Sequence, residues 1–190
     1  MNEALAYDAD PWREELIAGR WTAMALPAMN HIRVSGNIYN LFSNHLQGLT
    51  CEPISDGAAV YLTEEDCYIP DFMIVCNPER IRPDGVHGAP DLVAEVLSPS
   101  TARQDRGRKK RVYEACGVRE YWLVDPRGKA LEQYLLTDGH LELNGVYTLY
   151  SSIELENMTG EERASVRTEF RCCLYDDLVI RLEDVFRRVR

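Results

Sequence analysis

The stretch PDLVAEVLSPSTARQDRGRKKRVYEACGVREYWLVDP, residues 90–126, constrains the fold of this chain more than any other. An apolar run, an amphipathic segment ended by Gly117 and a second apolar run read as strand, crossover helix and strand. That unit builds a parallel sheet. Its first strand carries Asp91 and Glu95, and its helix carries Arg103, Arg106, Arg108, Lys109, Lys110 and Arg111. Carboxylates on a buried strand beneath a basic helix are costly to desolvate, so partners or function must account for them.

Alternation along the strand puts Asp91, Val93, Glu95 and Leu97 on one face and Leu92, Ala94 and Val96 on the other. Asp91 and Glu95 lie roughly 13 Å apart at about 3.3 Å per residue, too far to share one small ion. Glu95, in mid-strand, must be paired, protonated or metal-bound. Asp91, beside Pro90, reads more simply as a loop-end residue and is kept only as an accessory candidate. The second acid is expected at Asp71, which starts the apolar run FMIVC. If that strand neighbours residues 91–97, Asp71 and Glu95 converge on one ion; otherwise Asp71 caps a strand start. Carboxylate oxygens are hard ligands suited to Mg²⁺ or Mn²⁺.

Helical phase puts Ala102, Asp105, Lys109, Val112, Tyr113 and Cys116 on one stripe, facing the sheet. Lys109 is the cation aimed inward, either at the acidic strand or simply at Asp105 one turn earlier. Arg103, Arg106, Arg108 and Lys110 form a basic run. Such a run is either a solvated face or a contact for a nucleic-acid backbone.

The rest of the chain reads as one α/β domain over residues 1–190, with 1–12 a loosely ordered lead-in and a central mixed sheet flanked by helices. Glu14–Met24 suggests a helical turn followed by a strand, and a helix is expected from about Asn30, capped by Gly48, with His31 and His45 in phase with Ile38. Short extended runs follow on either side of an Asp56-Gly57 turn. Tyr68–Cys76 is a β-rich run in which Pro70 marks an edge position or the start of the strand proper. Residues 77–89 read as loop. ALEQYLL and HLELNGVYTLYSS form a hairpin about Thr137-Asp138-Gly139, 153–167 is a loop or short surface helix, and a strand near 170–180 precedes a closing helix from Leu182.

The net charge of −10 argues against a generally basic nucleic-acid binder, so any polyanion must meet a local patch. No CxxC pair accompanies the six cysteines, so neither a zinc site nor a disulfide framework is expected. Reduced thiols, an acidic N-terminal stretch without a signal-peptide pattern and no long apolar run together suggest the cytoplasm.

IPDFMIVC, together with GAPDLVAEVLSPSTARQDRGRKKRVYEACGVREYWLVDP, resembles the Uma family of predicted endonucleases, which have a restriction-endonuclease-like fold and a PD-(D/E)XK site. EELIAGRW, ALPAMNH and LYDDLVIRLEDVF match more weakly. The resemblance implies that Asp71 is the metal-binding aspartate and Glu95 the acidic strand residue. Leu97 stands where the usual lysine would, and the lysine's role passes to Lys109. Glu15 and His31 match further family positions. The implied chemistry is Mg²⁺-dependent phosphodiester hydrolysis in DNA, with a homodimer as the means of engaging both strands. Two other readings remain open: a nuclease-fold module that binds without cleaving, and an interaction protein whose acidic surface meets basic partners.

Overall fold

The computed structural model describes residues 14–55 and 57–190; the expected lead-in over 1–12 and Asp56 of the Asp56-Gly57 turn lie outside them. In chain order, β1 (Glu14–Ile17) and β2 (Arg20–Ala23) precede α1 (Met29–His45), β3 (Glu52–Ser55), β4 (Val60–Tyr61), β5 (Cys67–Tyr68) and β6 (Phe72–Val75). The hairpin β7 (Ile81–Arg82) and β8 (Gly85–His87) leads into β9 (Leu92–Val96). The crossover consists of α2 (Ala102–Gln104), a π-turn over Asp105–Lys109 and α3 (Lys110–Cys116), and it returns to β10 (Glu120–Asp125). Then come β11 (Ala130–Thr137), β12 (His140–Thr148), α4 (Ser152–Glu156), α5 (Gly160–Ser165), β13 (Glu169–Arg171), β14 (Val179–Arg181) and α6 (Leu182–Val185).

The main sheet has the order β12-β11-β10-β9-β6-β3. Its β9–β10 pair is parallel and its other pairs are antiparallel, which gives the mixed sheet expected from the strand–helix–strand unit. A second six-stranded sheet, β2-β1-β5-β4-β8-β7, stands beside it. Strand alternation divides the core in two. Phe72, Ile74, Leu92, Ala94, Val96 and Trp122 join Val34, Ile38 and Phe42 of α1 on one face. Met73, Val75, Val93 and Leu123 join Tyr113, Val118 and Tyr121 on the other. Glu95, with the parity of Val93, belongs to the second face.

Several local expectations are corrected. Glu14–Met24 contains no helical turn: β1 and β2 form a hairpin about Ala18 and Gly19, both at positive φ (52° and 69°). Two successive positive φ values suit the tight turn between twisted strands, and Gly19 adopts one without steric cost. The run Tyr68–Cys76 is two strands, not one. Pro70 sits where the chain leaves β5 in the second sheet for β6 in the first, and β6 is flanked by β9 and β3 rather than at an edge. Residues 77–89 hold a 3₁₀ turn, Pro78–Arg80, and the β7–β8 hairpin. The 153–167 region takes the surface-helix alternative, as α4 and α5, each opened by a capping box, Ser151 with Glu154 and Thr159 with Glu162. Those S-x-x-E and T-x-x-E patterns were readable signals.

The cysteine expectation is also overturned. Cys51 and Cys76 form a disulfide, while Cys67, Cys116, Cys172 and Cys173 are free. Pairing of β3 with β6 matches Glu52 to Val75, and one further step brings Cys51 opposite Cys76. Spacing in the sequence carries no trace of that cross-strand register. Among the described residues no helix is long and apolar enough to cross a membrane.

Candidate active site

Two strands from different parts of the chain bring the acids together. β6 and β9 pair antiparallel, with Phe72 opposite Ala94, Met73 opposite Val93 and Ile74 opposite Leu92. One step further, Asp71 falls opposite Glu95. Asp71 is tied to the end of β9, its Oδ2 accepting from the Val96 backbone N–H at 2.7 Å. Its Oδ1 lies 2.8 Å from His31 Nε2, so the first turn of α1 reaches the same carboxylate.

The crossover helix faces this pair with its predicted stripe. Asp105, Lys109 and Tyr113 follow at four-residue steps and are all buried, with exposures of 2%, 3% and 0%. The π-turn spans the first two, and Tyr121 of β10 donates from its hydroxyl to the Asp105 carbonyl at 3.0 Å. π-Turns within helices recur at functional sites. Lys109 Nζ lies 2.8 Å from Glu15 Oε1, 3.2 Å from Glu95 Oε1 and 3.6 Å from Asp105 Oδ1. Glu15 Oε1 also accepts from the Ile69 N–H at 2.8 Å, and Tyr113 donates to Glu95 Oε1 at 2.9 Å. The β1–β2 hairpin therefore delivers Glu15 as the third carboxylate around Lys109, with Glu95 and Asp105.

Burial and mutual charge shift the titration of Glu95, Asp105 and Lys109. Burial drives Glu95 well above the usual carboxylate range; Lys109 opposes the rise, and the charges of Asp105, Asp71 and Glu15 add to it. Burial likewise raises Asp105 against the pull of Lys109. Desolvation acts against the charge on Lys109, but Glu95, Glu15 and Asp105 outweigh it and raise the ammonium above its ordinary value. Burial, then the Glu95 charge, holds the Tyr113 phenol well above its usual range.

Glu95 divides its oxygens unequally. Oε1 receives both Lys109 and Tyr113, whereas Oε2 takes no hydrogen bond among the described residues. The single sealed side-chain oxygen or nitrogen without a hydrogen-bond partner among the described residues is Asp105 Oδ1. No group of three or more His, Cys, Asp or Glu among the described residues is arranged to hold a metal ion. An all-protein cage is thus not what this site offers. Mg²⁺ characteristically binds one or two carboxylates and completes its shell with water and substrate phosphate. Asp71 and the Glu95 oxygen without a described hydrogen bond fit that demand.

The other expected residues sit as follows. Asp91 lies at the opposite end of β9 from Glu95. Its Oδ2 accepts from the Cys76 N–H at 2.8 Å, and Arg119 approaches Oδ1 at 3.9 Å, so it links strands rather than joining the cluster. Along the basic run, Arg106 pairs with Glu132, and Arg108 grips Asp66 through Nε to Oδ1 (3.0 Å) and Nη2 to Oδ2 (2.8 Å). Lys110 lies 4.3 Å over the Tyr134 ring. Arg103 is exposed and has no ion pair among the described residues. His45 is 3.6 Å from Asp177, apart from the cluster that holds His31. Sequence reasoning placed Asp105 and Tyr113 on the stripe of Lys109 but assigned them no part in the site. Their positions one turn before and after it were the available signal.

A mixed sheet with a buried lysine and facing strand carboxylates at one end is the architecture of a restriction-endonuclease-like protein. Residues 1–166 match the Uma2 family, described as "Putative restriction endonuclease", and the chain belongs to that family. Among curated relatives, "Uncharacterized protein slr1290" of Synechocystis sp. is 32% identical over 128 residues, covering 66% of this chain and 67% of that protein. "Uncharacterized protein sll1609" of the same organism is 26% identical over 126 residues, covering 64% and 71%. The crystal structure of a "putative nuclease belonging to DUF820" from Anabaena variabilis superposes with a TM-score of 0.64 at 16% identity, covering 91% of this chain and 89% of that one. At that identity the likeness speaks for a shared fold.

Proposed function

We propose that this protein is a divalent-cation-dependent nuclease that hydrolyses phosphodiester bonds in DNA. The observation that carries the reading is the convergence of Lys109 on Glu95, with Asp71 opposite Glu95 by strand register. Asp71 and Glu95 would hold Mg²⁺ or Mn²⁺, which supplies Lewis-acid polarisation of the phosphate and a bound water of lowered pKa. Lys109 keeps its charge at any working pH. Its ammonium is positioned to orient the attacking water or to balance negative charge developing on phosphorus. His31 holds one oxygen of Asp71 in place, and Glu15 holds the ammonium at 2.8 Å.

Backbone contact with nucleic acid falls to Arg103 and to the outer parts of Arg106, Arg108 and Lys110, the first two of these last three being 45% and 36% exposed. An overall acidic chain limits nonspecific DNA affinity, so binding should be weak and salt-sensitive. A homodimer would present two sites to the two strands.

One observation favours a second reading, a nuclease-fold module that binds without cleaving. The Lys109 side chain is 3% exposed and its ammonium is surrounded by carboxyl groups, as in a structural ion cluster. One experiment separates the two. Plasmid and single-stranded DNA are incubated with the purified protein in Mn²⁺, beside Asp71→Ala and Lys109→Ala. Cleavage by the wild type that both substitutions abolish is the expected result. Cleavage that survives both, or a wild type that binds DNA and leaves it intact, overturns the nuclease reading.

A further inference from the structure

The Tyr113 hydroxyl has no part in the chemistry above, yet it is fully buried and spends its hydrogen bond on Glu95 Oε1. Lys109 reaches the same oxygen from the preceding helical turn. Two donors on Oε1 fix the carboxylate's rotation about its last bond, and the other oxygen, Oε2, takes no hydrogen bond among the described residues. A carboxylate with both oxygens free would turn between orientations; this one presents a single oxygen in a single direction.

We infer that Tyr113 is a positioning residue, holding Glu95 so that Oε2 faces the place where the divalent cation binds. The inference rests on the proposed function, because it supposes that Glu95 is a cation ligand. The ring is itself braced, its centroid 5.5 Å from Tyr68 and 5.3 Å from Tyr121. Its hydroxyl therefore has little freedom to follow the carboxylate elsewhere. Groups that orient a metal ligand by hydrogen bonding typically change metal affinity by about 10- to 100-fold when removed.

The test is a calorimetric titration of the full chain with Mn²⁺, for wild type, Tyr113→Phe and Glu95→Gln, with melting of each protein measured separately without cation. Tyr113→Phe keeps the ring and its packing and removes only the donor. Supporting the inference, Tyr113→Phe weakens Mn²⁺ binding about 10-fold or more, and 4-aminophenylalanine at position 113 restores it by returning a donor to the same place. A merely structural tyrosine would lower the cation-free melting temperature and leave the Mn²⁺ affinity unchanged. That outcome, with Glu95→Gln still losing binding, overturns the inference and leaves the proposed function standing. A wild type that binds no Mn²⁺, or a Glu95→Gln that binds as the wild type does, overturns both.

Discussion

Lys109 Nζ and Glu15 Oε1, 2.8 Å apart, join the crossover helix to the β1–β2 hairpin through the buried interior. The contact ties the main sheet's helix to the second sheet.

Removing the ammonium leaves Glu15, Glu95 and Asp105 facing one another without a cation. Lys109→Met is expected to cost about 3–5 kcal/mol at neutral pH, the range for breaking a buried ion pair from one side. Glu15→Gln should cost less, about 1 kcal/mol, because Glu95 and Asp105 still surround the ammonium and an acceptor remains for the Ile69 N–H. Urea denaturation of both variants checks the order. A larger loss from Glu15→Gln would mean that the ammonium does not dominate the cluster.

The pH dependence has a definite sign. Glu95 and Asp105 are raised above ordinary values of 4.5 and 3.8 chiefly by burial, so the folded protein holds protons that the unfolded chain has released. Their contribution is fully present below those ordinary values and is lost as pH rises through the elevated ones. Cation-free protein should therefore gain stability from this cluster on acidification from neutrality toward about pH 5. Glu95→Gln should gain less. Coincident melting profiles for the two proteins would show that Glu95 does not titrate in this window.

Asp66 contributes with the opposite sign. It accepts from Arg108 at 3.0 and 2.8 Å, from the Tyr68 hydroxyl at 2.6 Å and from the Ala18 N–H at 3.2 Å, fastening the hairpin turn to the helix. Burial pushes its carboxyl up, but the bonds from Arg108 and Tyr68 prevail and hold it below 3.8. Its contribution is thus present above that value and is lost as pH falls through the depressed one. Asp66→Ala is expected to cost about 2–3 kcal/mol, with a coupling to Arg108→Ala of about 1–3 kcal/mol in a double-mutant cycle. Additive losses would mean that the two side chains act independently.

The Cys51–Cys76 bond closes a loop with a sequence separation of 25, for which chain entropy gives about 3 kcal/mol of stabilisation. Reductant should lower the melting temperature of the wild type and leave Cys51→Ser unaffected. Identical melting of the wild type with and without reductant would contradict a stabilising role.

Sequence alone determined the strand–helix–strand unit, the two faces of β9 and the inward direction of Lys109. Each follows from a local period, 2.0 along a strand and 3.6 along a helix, and local periods survive into the fold. The β11–β12 hairpin was legible for the same reason: Asp138 and Gly139 occupy positive φ in the two-residue turn that their types predict. Distance along a strand separates Asp91 from Glu95, whereas the β6–β9 register sets Asp71, at the start of FMIVC, opposite Glu95.

Tertiary structure decided what depends on contacts between distant segments. Nothing in EELIAGRW announces that Glu15 will meet Lys109, because that meeting requires a hairpin in a second sheet to dock over the helix. The basic run reads in sequence as a solvated face or a phosphate contact, yet Arg106, Arg108 and Lys110 are engaged by Glu132, Asp66 and Tyr134 from other elements. The disulfide, likewise, is a product of strand register. Periodicity says which way a side chain points; only the packed fold says what it finds there.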